Sequence, residues 1–198
     1  MENDMAFGAD QNINIANGSG QDIYVLAAGN TAWTIADVLG NAALMFTGIG
    51  ELKGIVSAGE LPAAINTIGD LYKALRVGAA LVRAGGRGYE AGQAVVNAFK
   101  KNSADIPNGQ VKNVREQGTL STFLNPSGIA GLLGAGTVSL TIMSNDGLQV
   151  AQFNSGPDDS WIATSNQTIV RSVYGTLWDQ DPSAGSQSWP VVPAAANA

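Results

Sequence analysis

Two acidic clusters come nearest to metal chemistry. Asp158-Asp159 and Asp179-x-Asp181-x-Ser183 supply oxygen donors at a density that calcium can use. An EF-hand loop counted from Asp179 needs Gly at its sixth position and Glu at its twelfth, where the chain has Ala184 and Pro190. The EF-hand reading fails. Acidic turns are common without metal, because Asp side chains bond to their own backbone. The expectation is therefore no metal at either cluster, with a calcium loop of another type left open.

Other chemistry is excluded more firmly. Histidine and cysteine are both absent, which removes the usual general base, the thiolate nucleophile and the commonest zinc ligands. A Ser or Thr nucleophile would then need a lysine or an amine as base, and no Ser-x-x-Lys occurs. Nor do the glycines form a nucleotide loop. Gly128-x-x-Gly131-x-x-Gly134-x-Gly136 and Gly86-x-Gly88-x-x-x-Gly92 both lack the dinucleotide spacing, and no Walker Gly-Lys-Ser/Thr follows a glycine run. Tight turning and close packing explain both sets. The reading is a protein with no catalytic residues and no cofactor.

Two groups of side chains could instead carry binding. On a helix at 100° per residue, Lys73, Arg76, Arg83 and Arg87 fall within about 80° of one another, opposite Leu71, Leu75, Gly78 and Val82. That basic stripe is a candidate interaction face for acidic segments of another copy, or for an anionic lipid surface. The second group is Trp161, Tyr174, Trp178 and Trp189, gathered late in the chain as a candidate aromatic surface for a sugar or lipid headgroup; core packing is the competing use. Nucleic acid is not expected, because the chain is acidic overall and the cations have no interleaved aromatics.

The elements that must position these groups follow from charge and period. Residues 1–52 hold six acids and no base, 53–115 nine bases and four acids, and 116–198 one base and six acids, giving −6, +5 and −5 and the net −6 of the chain. Ile13 and Ile15, then Asn17-Gly18-Ser19-Gly20, then Ile23 and Val25, read as a hairpin within 1–30. The period then becomes helical over 31–104, and three helices are expected: 34–56 behind a Thr34/Asp37 capping box, 62–84 opened by Pro62, and 89–101 after a Gly85-Gly86 break. The apolar run over 38–50 has a polar side with Asn41 and Thr47, so it reads as a core helix rather than a membrane span. Gly50-x-x-x-Gly54 and Gly88-x-x-x-Gly92 would let helices approach closely.

Strands return over 105–180. They are expected at 110–115, at Val138, Leu140 and Ile142 alternating with Ser139 and Thr141 as a half-buried strand, at 148–153 after an Asn145-Asp146-Gly147 turn, at 161–163 and at 168–174. Residues 181–198, rich in Ala and Pro, read as an extended tail able to lie on a neighbouring subunit. The expected fold is α+β in one domain: an antiparallel, sandwich-like sheet of six or seven strands with a three-helix insertion between the N-terminal hairpin and the C-terminal strands.

Charged residues are only 13% of the chain, so little electrostatic repulsion keeps copies apart. The functional expectation is a non-enzymatic structural or interaction protein that self-associates through sheet edges, extended termini and opposed charge blocks. The alternative is a membrane-acting, pore-forming-like protein with a lipid-binding sandwich and amphipathic helices. The acidic start MENDMAFGADQN is no Sec-type signal and no run suits a spanning helix, which predicts a cytoplasmic protein or one released by a non-classical route.

Overall fold

The computed structural model describes residues 13–29, 67–114, 138–156, 159–173 and 176–195, with ten strands and two helices among them. The class is α+β, dominated by strands. Two sheets enclose a common core, and the helices cover the far side of one of them.

The strands are β1 (Asn14–Gly18), β2 (Ile23–Gly29), β3 (Ala104–Ile106), β4 (Val111–Asn113), β5 (Val138–Ser144), β6 (Val150–Ser155), β7 (Ser160–Thr164), β8 (Thr168–Val173), β9 (Thr176–Gln180) and β10 (Ser186–Ser188). Helix α1 is Ile68–Ala84 and α2 is Tyr89–Lys101. One sheet runs β10-β8-β7-β1-β4, with β9 also on β8; the other runs β3-β2-β5-β6. The described pairings are antiparallel except that β1 and β7 lie parallel, Ile15 opposite Trp161. The first sheet is therefore mixed, which corrects the wholly antiparallel expectation.

The first hairpin is also corrected. Both strands form, but β1 belongs to the first sheet and β2 to the second. Asn17-Gly18-Ser19-Gly20 is an arch between layers rather than a hairpin turn. The buried Asn17 amide explains it: its Nδ2 donates to the carbonyls of Gln21 and Ile106 at 2.8 Å each, and its Oδ1 accepts from Ser19. A second arch, Pro107-Asn108-Gly109, lies beside it, bound by Gly109 N to Asn17 O at 2.7 Å and by Asn108 N to Asp22 Oδ1 at 3.0 Å. The short strand β3, between α2 and that arch, had no clear period of its own to announce it.

Strand β5 was expected to be half-buried and is buried on both faces. Val138, Leu140 and Ile142 face the inter-sheet core with Ile13, Ile15, Ile23, Val25 and Trp161. Met143, on the other face, packs with Leu71, Leu75, Val95 and Phe99 of the helices. Ser139 and Thr141 tolerate this burial because they are small and can be bonded; Thr141 Oγ1 accepts from Gln152 Nε2 at 3.1 Å. The β5–β6 hairpin forms as expected, with Gly147 at φ 74° and its N–H on Ser144 O at 2.9 Å. Gly147 also lies so close to α2 that an added Cβ would stand 2.6 Å from Val96 Cγ1.

Helix α2 keeps its expected bounds, and Gly85 and Gly86, at φ 74° and 72°, make the break before it. Helix α1 starts later than Pro62. Thr67 caps it, accepting from Asp70 N at 3.1 Å while Asp70 Oδ2 accepts from Thr67 N. The two helices meet at glycines: a Cβ on Gly92 would lie 2.6 Å from Gly78 O. The helix expected over 34–56, Pro62, the Gly50/Gly54 pair and Gly128 to Gly136 lie outside the described residues. A three-helix unit is not found among the described residues, which hold two.

Candidate interaction surfaces

The basic stripe divides. Lys73 and Arg76 are exposed on α1, with the Arg76 guanidinium 5.8 Å from the centre of the Tyr72 ring. Arg83, a turn and more along, reaches the C-terminal segment and donates from Nη1 to Val192 O at 2.7 Å. Arg87 falls beyond the Gly85-Gly86 break, in the one-turn 3-10 helix Gly86–Gly88, so it does not continue the stripe. Leu71, Leu75 and Gly78 are buried on the opposite face, as the wheel requires. A further cation, Lys100 of α2, donates to Asn145 O and lies 5.3 Å from the centre of the Tyr24 ring. Burial, then the charges of Asp105 and Asp22, raises the Tyr24 phenol above its ordinary pKa.

The aromatic group divides as well, and half of it is corrected. Trp161 is a core residue: its ring meets Phe153 edge-on at 4.7 Å and its indole N–H donates to Ser155 Oγ at 2.9 Å. Trp189 is fully buried between the sheets, and its indole N–H has no hydrogen-bond partner. Trp178 alone behaves as expected, 49% exposed on β9 near the 42% exposed Val173 of β8. Tyr174 lies outside the described residues. Position late in the chain was a poor guide here, because alternation along β7 turns Trp161 inward with Ala163.

The acids serve turns. Asp159 Oδ2 accepts from Gly156 N at 2.8 Å while Oδ1 pairs with Arg171. Asp181 accepts from the Ser183 hydroxyl and from Ala184 N at 3.3 Å, and the Ser183 bond above all holds its carboxyl below its ordinary pKa of 3.8. Asp158 lies outside the described residues. Among the described residues no three His, Cys, Asp or Glu side chains gather as a metal set, and no helix is long and apolar enough to cross a membrane.

Two features escaped the sequence reading as sites. One is the outer side of β6, Val-Ala-Gln-Phe-Asn-Ser, which contains no charge and no proline. It ends the order β3-β2-β5-β6, and no described strand pairs along its outer side. The other is the route of the C-terminal segment. From Trp189, whose carbonyl accepts from Gln149 Nε2 at 2.8 Å, the chain forms a single bridge between Val191 and Gln149. It then bonds Val192 N to Leu148 O at 2.8 Å and Ala195 N to Ala80 O at 3.1 Å. The segment is extended, as expected, and it lies on its own chain, against α1 and the β5–β6 turn. Gln149 was not legible as the pivot of this contact; it also accepts from Gln21 at 3.1 Å, joining the first arch to the tail.

No known protein family matches this chain, and no curated protein or solved structure does.

Proposed function

We propose that this is a non-enzymatic structural or interaction protein that self-associates into a homo-oligomer or larger assembly, with the outer edge of β6 as its joining surface. The observation that carries this reading is the character of that edge. Six residues, about 20 Å of strand, run without the lysine, proline or bulge by which sheets ordinarily discourage pairing. Main-chain groups on an edge of this kind are satisfied by the same edge of a second copy, and an antiparallel β6–β6 pair has the two-fold symmetry that most homodimers use. Its neighbours hold it in shape: Phe153 rests on Trp161, Ser155 accepts from the Trp161 indole, and Gln152 Nε2 donates to Ile68 O at 2.9 Å.

Sparse charge supports the same reading, and the opposed blocks add to it. Lys73 and Arg76 offer an exposed positive face to the acidic segment that holds Asp179 and Asp181 in another copy. Sedimentation velocity across protein concentration and ionic strength tests the proposal. The expected result is a weight-average sedimentation coefficient that rises with concentration, with a modest fall at high salt. A monomer under every condition overturns it. The second reading, a membrane-acting protein, rests on the Lys73–Arg76 face as a site for anionic lipid. It is separated by flotation with anionic and neutral vesicles, where binding to the anionic vesicles alone would favour it.

A further inference from the structure

We infer that residues 190–195 form an exchange arm, which leaves its own dock in an assembly and occupies the same dock on a second copy. The inference rests on the self-association proposed above. In the single chain the dock is visible with its occupant in place: Gln149 and Leu148 at the start of the β6 edge, then Arg83 and Ala80 on α1. All four residues precede the arm by more than forty positions in sequence, as the numbering gives. A second copy's arm would therefore meet the same groups.

Three observations favour exchange over permanent docking. First, the arm is lightly held. Val192 is its one fully enclosed apolar side chain, Val191 and Ala195 are half-buried, and the rest is main-chain hydrogen bonding plus the Arg83 contact. Trp189, buried beside it and bonded from its N–H to Gln167 O at 2.7 Å, is the fixed anchor from which the arm swings. Second, Pro190 and Pro193 keep the arm extended and stop it from continuing a ladder, so it remains a separable strand end rather than part of the sheet. Third, the dock adjoins the joining edge. In an antiparallel β6–β6 pair the two Gln149 positions lie at opposite ends of six residues, roughly 20 Å apart. Six residues of extended arm reach roughly that far.

Mass action sets when exchange occurs. A short tether holds the arm near its own dock at an effective concentration on the order of millimolar. A dilute free copy cannot compete with that. A copy joined at β6 presents its dock at a similar local concentration, so the swapped and unswapped forms become comparable, with the same contacts in each. Exchange then locks an assembly that the sheet edges start.

The absence of cysteine makes the test clean. In the double variant Ala80→Cys with Ala195→Cys, oxidation links arm to dock, within a chain if the arm stays home and between chains if it exchanges. Oxidised at a concentration where sedimentation shows assembly, the protein should give disulfide-linked dimers on a denaturing non-reducing gel, and their share should fall several-fold on dilution to the monomer before oxidation. Circular dichroism establishes that the variant folds. An equal mixture of the single variants Ala80→Cys and Ala195→Cys gives an independent reading, because a peptide disulfide joining position 80 to position 195 can then arise only between copies. Assembly with linkage inside single chains only, and no mixed peptide, overturns the exchange arm while leaving the β6 edge standing. A monomer at all concentrations overturns both.

Discussion

The outer strands at the far ends of the two sheets meet the same problem and solve it differently. At the end of the first sheet, β8 is flanked by two short strands, β9 and β10, and the pairing with β9 shifts register between Ser172 and Val173. Acids follow at Asp179 and Asp181. A bulge, short strands and charge are the devices that keep an edge from pairing. At the end of the second sheet, β6 has six residues in regular register with β5, from Val138 opposite Ser155 to Met143 opposite Val150, and none of those devices. Exposed apolar area is thus a misleading guide. Trp178 and Val173 are the conspicuous side chains, but they stand on the protected edge.

The largest effect that would break this comparison is removal of what holds β6 straight. Trp161→Ala empties the site beneath Phe153 and takes the donor from Ser155, and should cost about 3–5 kcal/mol in a denaturant titration. Assembly at a given concentration should weaken with it. A smaller loss sharpens the same point from the turn. Gly147→Ala forces a Cβ onto Val96 at a positive φ and should cost about 1–3 kcal/mol, read as a drop in midpoint without change of slope.

The protected edge should respond far less. Trp178→Ala removes a half-exposed ring and is expected to change stability by less than about 1 kcal/mol, with the sedimentation profile unmoved. Smallest of all is the Asp181 turn. Its carboxyl has a folded pKa below the ordinary 3.8, so its contribution is present above that value and is lost as pH falls through the folded pKa. Asp181→Asn should therefore lower the midpoint slightly at neutral pH and flatten the acid limb of a thermal-stability profile below about pH 4. No such flattening would mean that the Ser183 bond is not kept in solution.

How far the sequence reveals this follows from what periodicity encodes. Local features were legible: the Asn145-Asp146-Gly147 hairpin, the Gly85-Gly86 break and the bounds of α2 each depend on residues adjacent in sequence. Pairing was not. Ile13, Ile15, Ile23 and Val25 alternate in the same way whether their strands pair with each other or face across a core, and the choice lies in where the Asn17 amide finds acceptors, one of them on Ile106. Burial of β5 on both faces was hidden because Ser139 and Thr141 read as solvent positions until helices cover them. Among candidate site residues, the wheel placed Lys73 and Arg76 well, but Arg83 is diverted by Val192, a contact between residues 109 positions apart. The uncharged run of β6 was visible all along; only the order of the sheet makes it an edge.

One lysine on each edge tests the account most directly. Sedimentation velocity should be compared for the wild type, Asn154→Lys on β6, where the side chain is already exposed, and Trp178→Lys on β9, at one concentration where the wild type assembles. The account predicts that Asn154→Lys sediments as a monomer with an unchanged far-ultraviolet spectrum while Trp178→Lys assembles like the wild type. Dissociation by the β9 lysine with none by the β6 lysine would contradict it.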